Sequence, residues 1–174
     1  MPRAAHGNSN AARDFIELVA FAGLALVVAL LVRAYVAEPF IIPSASMTDT
    51  LMVGDRLVGE KLTYRSSSPQ AGDIVTFKDP DDPSLTLIKR VIATEGQIVD
   101  MDFENGIVYV DGLPLEEDYT NTMTNLDEGA VFPQIVEENC VFVMGDNRNN
   151  SKDSRSLEIG QVDKREILGK VALI

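Results

Sequence analysis

An apolar stretch near the start of the chain limits the fold more than any other feature of the sequence. No charged residue occurs in Leu18–Val32, and the wider stretch Phe15–Val36 contains only Glu17 and Arg33. As an α-helix, these 22 residues would be about 33 Å long, which matches a hydrocarbon core of about 30 Å. Glu17 and Arg33 lie near the two ends, where their side chains can reach the lipid headgroups. The sequence therefore predicts one membrane-spanning helix, which ends before Pro39.

Two other interpretations of this stretch exist. Ala20-Phe21-Ala22 resembles the small-x-small site of a cleaved secretory signal, but ten uncharged residues, Gly23–Val32, still follow it. A buried helix of a soluble domain is the other alternative. The length of the stretch favours an uncleaved anchor.

Basic residues around the stretch predict its orientation. Arg3, Arg13 and the terminal amine precede it, whereas only Arg33 follows closely, so the positive-inside rule favours a cytoplasmic N-terminus. We predict a single-pass protein of the cell membrane: a cytoplasmic tail over residues 1–14, disordered through Arg13, an anchor over 15–37, and an extracytoplasmic domain over 38–174. The only histidine, His6, would then lie across the membrane from that domain.

Charge and cysteine content exclude several classes of partner and site. Three of the 15 basic and three of the 27 acidic residues precede Pro39, which leaves 12 basic and 24 acidic residues in the rest of the chain. Such an acidic domain repels nucleic acid, so no nucleic-acid partner is expected. With one cysteine, Cys140, and one histidine, neither an internal disulfide nor a zinc site is expected, and we predict no metal and no cofactor.

The rest of the chain predicts a mostly-β domain. Short runs rich in β-branched and aromatic residues alternate with Gly, Pro, Asp and Asn, and no long helical period follows residue 39. Asn105-Gly106 and Asp111-Gly112 are hairpin-turn signals. The predicted strands are Phe40–Ile42, Leu51–Val58, Asp73–Lys78, Leu85–Thr94, Gln97–Phe103, Ile107–Val110, Val141–Met144 and Ile167–Leu173.

Two serines in the segment Pro43-Ser44-Ala45-Ser46-Met47 are candidates for a nucleophile. A turn could bring both hydroxyls to one site, although the segment taken alone is more typical of a simple serine turn after a strand. Ordinary serine hydrolases use histidine as the base. Because His6 is predicted to be remote, a nucleophilic Ser46 needs another base, and lysine is the alternative.

Lys89 is the candidate base. In a strand, Lys89 and Arg90 face opposite sides, and the neighbours of Lys89 on its own side are Leu87 and Val91. At a pKa of about 10.4, only about one lysine in a thousand is neutral near pH 7.4, a handicap of roughly 4 kcal/mol for a general base. Apolar surroundings lower the pKa and can remove that handicap. The alternative is a solvated lysine whose stem covers apolar surface.

A third segment, Gly145–Arg155, is dense in Asn, Asp, Ser and Arg. Its composition is typical of a long solvated loop. It also contains acid–base pairs that can satisfy each other, which suits a scaffold that orients a buried polar group.

Four segments in order resemble motifs of the bacterial type I signal peptidases, the serine proteases that remove signal peptides from exported preproteins. Pro43–Leu51 resembles P-S-G-S-M-x-P-T-L, Gly72–Phe77 resembles G-D-I-V-x-F, Ile88–Ile92 resembles the lysine box, and Gly145–Arg155 resembles G-D-N-R-x-N-S-x-D-S-R. The resemblance covers most of the chain from Arg33 onward. It implies the β-fold that this family shares with repressor-type Ser-Lys proteases, in the compact form with one anchor and no large accessory domain.

The resemblance also implies a role for each matching residue. Ser46 would be the nucleophile, Lys89 the general base, and Ser44 would join the Ser46 N–H in the oxyanion hole. Ser151 would hydrogen-bond the Lys89 amine. Asp153 and Arg155 would support this arrangement of Ser151 and Lys89, and Asp146 would form a structural ion pair with Arg90. The substrate would pair as an extended strand with Phe40, Ile41, Ile42 and Pro43.

The implied partners are preprotein signal peptides cut after small-x-small sites, the lipid bilayer and the secretion translocase. Ala45 stands where the family has Gly, and Asp49 stands where it has Pro. Both departures leave the cleavage rate and the substrate range open. The main alternative is a catalytically inactive membrane-tethered β-domain that binds peptides or partners. A self-cleaving repressor would need an N-terminal helix-turn-helix where the apolar stretch lies, and a His-dependent signal peptidase would need a histidine in the domain.

Overall fold

The computed structural model describes residues 8–48 and 50–172 of the chain. His6 and Asp49, which the sequence singles out, lie outside the described residues. The chain divides into two units, Met1–Ala37 and Glu38–Ile174, a division that coincides with the predicted end of the anchor.

The first unit is a single helix, α1, which spans Asn8–Tyr35. Within the described residues, one helical stretch is long and apolar enough to cross a membrane: Ala11–Tyr35, with 25 residues and a mean hydropathy of 2.7. The prediction of a disordered tail through Arg13 is wrong for Asn8–Arg13. Alanines and the exposed Arg13–Glu17 pair, one helical turn apart, favour continuation of the helix toward the N-terminus.

The second unit consists mainly of strands, as the sequence predicts. Their bounds are β1 Ala37–Ile41, β2 Arg56–Glu60, β3 Ile74–Lys78, β4 Thr86–Thr94, β5 Ile98–Asp102, β6 Ile107–Val110, β7 Leu113–Pro114, β8 Gln134–Ile135, β9 Cys140–Met144, β10 Val162–Asp163 and β11 Ile167–Ala172. Seven strands form one sheet in the order β1-β2-β11-β3-β4-β9-β10, and four form another in the order β7-β6-β5-β8. The predicted mostly-β class is therefore confirmed.

Three of the strands were not predicted, and one prediction was misplaced. The strands β7, β8 and β10 have two residues each, too few for an alternating pattern. The predicted strand Leu51–Val58 begins only at Arg56, because a turn occupies its first half. There, Met52 N–H donates to the Asp55 carboxylate at 2.8 Å, and Gly54 has a φ of +94°, which strongly favours glycine.

The central strands of the larger sheet are covered on both faces. Ile74 and Ile88 pack into one apolar cluster with Ile42 and Met47. Their strand neighbours, such as Val75, pack into a second cluster on the other side. A third cluster joins the far end of β4 and β9 to the smaller sheet. The strand β4, which carries Lys89 and Arg90, therefore lies in the most buried part of the domain.

Candidate active site

A short turn brings the two candidate serines together. Ser44 is extended, and the next three residues, Ala45–Met47, form a 3-10 turn closed by a hydrogen bond from Thr48 N–H to Ala45 O at 3.1 Å. Met47 is buried in the core, which fixes the turn to the sheet. The two hydroxyl oxygens of Ser44 and Ser46 are 3.4 Å apart. Ser46 is buried and Ser44 is exposed, so the pair spans the boundary between interior and solvent.

Lys89 lies next to Ser46 in the interior. It is paired with Val75 in the middle of the sheet, and only 2% of its surface is exposed. Its Nζ atom donates to Ser46 Oγ at 2.9 Å and to Ile88 O at 3.1 Å. Burial lowers the pKa of Lys89 from 10.5 to about 8, against the opposing effect of Asp153 and Glu128. The nucleophile candidate and the base candidate are thus in contact, and the lowered pKa increases the neutral fraction of the amine near pH 7.

The segment Gly145–Arg155 is a buried scaffold rather than a solvated loop. Arg155 and Asp153 are both fully buried and form an ion pair with N–O distances of 2.8 and 2.9 Å. Asp153 also accepts from Gly145 N–H at 2.9 Å, and Arg155 donates to Arg148 O at 2.6 Å. Because each buried charge has a partner, the segment keeps a defined shape beside Lys89.

Arg90 and Asp146 lie on the other side of the lysine strand. The Arg90 guanidinium binds the Asp146 carboxylate at 2.8 and 2.6 Å, and Thr50 Oγ1 donates to the same carboxylate at 2.5 Å. The guanidinium also lies 4.0 Å from the centre of the Tyr119 ring, a favourable cation–π distance. These contacts connect β4, the scaffold segment and the residues that follow the Ser46 turn.

Asn147 is a site residue that the sequence reasoning missed. Its backbone N–H donates to Ser46 O at 3.0 Å, and its side-chain Nδ2 donates to Ala45 O at 3.0 Å. It therefore holds the turn from the far end of the chain, about one hundred residues away in sequence. The density of short polar side chains in the segment was the only signal for it.

Ser151 does not make the predicted contact. Its Oγ is buried and has no hydrogen-bond partner among the described residues, so the hydrogen bond to the Lys89 amine is absent. The amine donates instead to Ile88 O, the carbonyl of the preceding residue. Ser151 nevertheless packs tightly against Gly145, since a Cβ atom at Gly145 would collide with the Ser151 hydroxyl.

A cavity of about 400 Å³ opens beside Ser46 and Lys89. Phe40–Ser44 line one side and Ser84–Lys89 the other, with Ser46 and Met47 at its end. The strand β1 is an edge of the larger sheet, so the cavity lies along a strand with one side free. Within the described residues, no three His, Cys, Asp or Glu side chains come together as a metal-binding group.

Comparison with known proteins identifies the family. The family model described as signal peptidase, peptidase S26, matches residues 15–174. A probable signal peptidase I-1 of Synechocystis is 51% identical over 138 residues, which are 75% of this chain and 68% of that protein. A signal peptidase I of Leptolyngbya laminosa is 40% identical, over 87% of this chain and 74% of that one.

A solved structure supports the same family. The crystal structure of a signal peptidase I from Enterococcus faecalis V583 is similar, with a TM-score of 0.50 and 29% identity, over 61% of this chain and 98% of that one. The resemblance inferred from the four motifs is therefore confirmed. The chain belongs to the signal peptidase I family, peptidase family S26, and is a serine endopeptidase of that family.

Proposed function

We propose that this chain is a membrane-anchored endopeptidase that removes N-terminal signal peptides from exported preproteins through a dyad of Ser46 and Lys89. The observation that carries the proposal is the 2.9 Å contact between Lys89 Nζ and Ser46 Oγ, made by a lysine that is nearly inaccessible to solvent. A buried amine with a lowered pKa next to a serine hydroxyl is the arrangement that general-base activation requires.

The first chemical step is proton transfer from Ser46 to Lys89. With a pKa of about 8, roughly one lysine in five is neutral near pH 7.4, instead of about one in a thousand at the ordinary pKa. The neutral amine takes the hydroxyl proton as Ser46 Oγ attacks the scissile carbonyl. The ammonium then gives the proton to the leaving amine, and an acyl-enzyme forms on Ser46. Lys89 next activates a water molecule that hydrolyses the acyl-enzyme.

Ser44 and the backbone of Ser46 are proposed to form the oxyanion hole. The Ser44 hydroxyl is 3.4 Å from the Ser46 hydroxyl, and the 3-10 turn follows directly after Ser44. A hydroxyl and a backbone N–H at the start of a turn are suitable donors for the charge that develops on the carbonyl oxygen.

Asp153, Arg155, Asp146 and Arg90 are proposed to support the dyad rather than to contact substrate. The pair of Asp153 and Arg155 keeps the scaffold segment against Lys89. The pair of Arg90 and Asp146 fixes the other face of the same strand. Ser151 is proposed to act by packing against Gly145.

The substrate is proposed to bind as an extended strand along Phe40, Ile41, Ile42 and Pro43. The cavity lies beside this edge strand and ends at Ser46, so a peptide added to the edge would bring its scissile bond to the nucleophile. The resemblance to the family implies small residues, usually Ala, one and three positions before the cut.

The helix α1 supports a membrane location. Its stretch Ala11–Tyr35 is long and apolar enough to span a bilayer. We assign residues 1–14 to the cytoplasm, 15–37 to the membrane and 38–174 to the outer side, where exported preproteins emerge from the secretion translocase. Protease added to intact cells should therefore degrade the domain of residues 38–174 and spare a short N-terminal fragment. Protection of this domain would show that the chain has the opposite orientation in the membrane.

The decisive experiment is preprotein cleavage by the full-length protein in lipid vesicles. Ser46→Ala and Lys89→Ala should each abolish the product, while Ser68→Ala, at an exposed serine remote in sequence from the dyad, should cleave like wild type. Sequencing the product should locate the cut after a small-x-small site. A wild-type protein that binds the preprotein without cleaving it would favour the inactive β-domain, and wild-type rates from either dyad variant would refute the mechanism.

A further inference from the structure

A segment outside the four motifs is fixed to the scaffold beside Lys89. Ala130 N–H donates to Arg155 O at 3.0 Å, and Arg155 Nη1 donates to Leu126 O at 3.3 Å. Gly129 and Ser156 form a β-bridge between the same two stretches. Glu128 lies between these contacts, so the scaffold fixes the backbone from which its side chain extends.

The Glu128 carboxylate is turned inward. Its Oε2 atom is buried and has no hydrogen-bond partner among the described residues. A buried carboxylate oxygen without a hydrogen bond is costly, unless a nearby positive charge compensates for the loss of hydration. Burial, together with the charge of Asp153, raises the pKa of the Glu128 carboxyl; the charges of Arg155 and Lys89 and a hydrogen bond from the Asp153 backbone act in the opposite direction.

Four charged groups act on Lys89: Asp153, Glu128, Arg155 and Asp146. Asp153 is paired with Arg155, and Asp146 with Arg90. Within the part of the chain that the structure describes, no such ion pair involves Glu128. Its charge is therefore the one among the three carboxylates that is not already neutralised, and it raises the pKa of Lys89 against the effect of burial.

We propose that Glu128 is a positioning residue that supplies the counter-charge for the Lys89 ammonium. The inference rests on the proposed function of Ser46 and Lys89. When Lys89 takes the proton from Ser46 Oγ, a positive charge appears in a buried site, and the Glu128 carboxylate stabilises it without contacting substrate. When the ammonium gives that proton to the leaving amine, the charge disappears. Glu128 keeps its own protonation state throughout.

The test compares pH profiles of kcat/KM for preprotein cleavage in the full-length protein. Glu128→Gln removes the charge and keeps the shape, so the limb on which activity rises should move to lower pH by roughly 0.5 to 1 unit. The plateau should fall about threefold to tenfold, because a weaker base and a less stabilised ammonium both slow proton transfer. Glu104→Gln, at an exposed position, removes the same charge elsewhere and should leave the profile unchanged.

A lower plateau with an unshifted limb would mean that Glu128 is only structural, and it would overturn the inference. The same holds if the profile of Glu128→Gln coincides with that of wild type. If Glu128→Gln does not fold, Glu128→Asp, which keeps the charge but withdraws it by one methylene, must shift the limb in the same direction by a smaller amount.

A second readout separates this inference from the proposed function. The amine of Lys89 can be titrated by NMR in Ser46→Ala, with and without Glu128→Gln, and the signal assigned through Lys89→Met. The titration midpoint should be lower without the Glu128 charge. Cleavage by Lys89→Ala would refute the dyad while leaving this measurement valid. An active dyad whose lysine titrates identically with and without Glu128 would refute the inference alone.

Discussion

Arg90 and Asp146 form an ion pair through two hydrogen bonds, at 2.8 and 2.6 Å, on the side of β4 opposite to Lys89. Adjacent residues of one strand thus have separate tasks. Lys89 contacts Ser46, and Arg90 binds the scaffold segment that holds the Ser46 turn through Asn147. Any movement of the scaffold segment therefore acts on the position of the lysine through its neighbour.

Asp146→Asn should destabilise the domain severely. The Asp146 side chain is fully buried, and its neutralisation leaves the mostly buried Arg90 unpaired, which costs about 3 kcal/mol or more. The free energy of unfolding in urea, followed by circular dichroism, measures the loss. Because the unpaired charge causes it, Arg90→Met combined with Asp146→Asn should cost less than the sum of the two single changes. Strict additivity would show that the pair is not coupled.

Activity should rise with pH through the pKa of Lys89. The proposed mechanism requires the neutral amine of Lys89, and burial lowers the pKa of this amine to about 8. Below that pH, kcat/KM should fall about tenfold per pH unit, and above it the rate should level off. Cleavage of a signal-peptide substrate across this range measures the profile. A flat profile between about pH 6 and about pH 10 would exclude Lys89 as the base.

Lys89→Met should stabilise the fold while it abolishes activity. The pKa of Lys89 is about 8 in the folded protein and 10.5 in the unfolded chain. Burying the protonated amine therefore costs folding free energy. The cost is complete below about pH 8, where both states carry the proton, and disappears above pH 10.5, where neither does. At pH 7, Lys89→Met should therefore raise the free energy of unfolding by up to about 3 kcal/mol.

Urea unfolding at two pH values provides the control for this change. Near pH 7 the difference between Lys89→Met and wild type should be largest, and in strongly alkaline solution it should vanish. A variant less stable than wild type near pH 7 would contradict the burial cost.

Gly145→Ala should impair catalysis. A Cβ atom at Gly145 would lie 2.5 Å from the Ser46 carbonyl oxygen and would also collide with the Ser151 hydroxyl. The Ser46 turn or the scaffold must then move, and we expect kcat to fall at least about tenfold, because small displacements of a nucleophile are costly. Gly23→Ala, in α1 with no atom close to the added Cβ, is the matched control. Full activity in Gly145→Ala would show that the turn tolerates displacement.

Asn147→Ala tests whether the Ser46 turn needs its anchor. The substitution removes the hydrogen bond from Nδ2 to Ala45 O and retains the backbone bond to Ser46 O. We expect kcat to fall about tenfold while stability falls by only about 1 kcal/mol. Steady-state cleavage and thermal unfolding together measure both effects. Asn150→Ala, at an exposed position of the same segment, should change neither quantity.

The sequence was sufficient for the fold class and for most strands, because alternating apolar residues and turn residues are local signals. Strands of two residues are too short to show such a signal. The turn over residues 51–55 was predicted as a strand because it contains residues with high strand propensity. The start of α1 at Asn8 was missed because its first residues are polar, whereas helix formation there depends on backbone propensity rather than on apolarity.

The meeting of Ser46 and Lys89 could be anticipated, because a serine nucleophile without a nearby histidine requires another base, and the two side chains are in contact. The hydrogen bond from Asn147 to Ala45 O and the inward-turned carboxylate of Glu128 could not be predicted, since both depend on how distant segments meet. The predicted hydrogen bond of Ser151 to Lys89 is absent, and the amine donates to Ile88 O, a backbone carbonyl whose position the sequence pattern does not reveal.

If substrates pair with β1 as proposed, the edge position of this strand determines which proteins the enzyme can process. A free strand edge presents backbone groups, and every polypeptide has the complementary groups whatever its side chains. A substrate polypeptide needs only to be unfolded over a few residues when it binds. The timing of cleavage would then depend on the folding of the substrate itself. A segment that can be cut while it is extended becomes resistant once its surroundings fold and its backbone hydrogen bonds are satisfied internally.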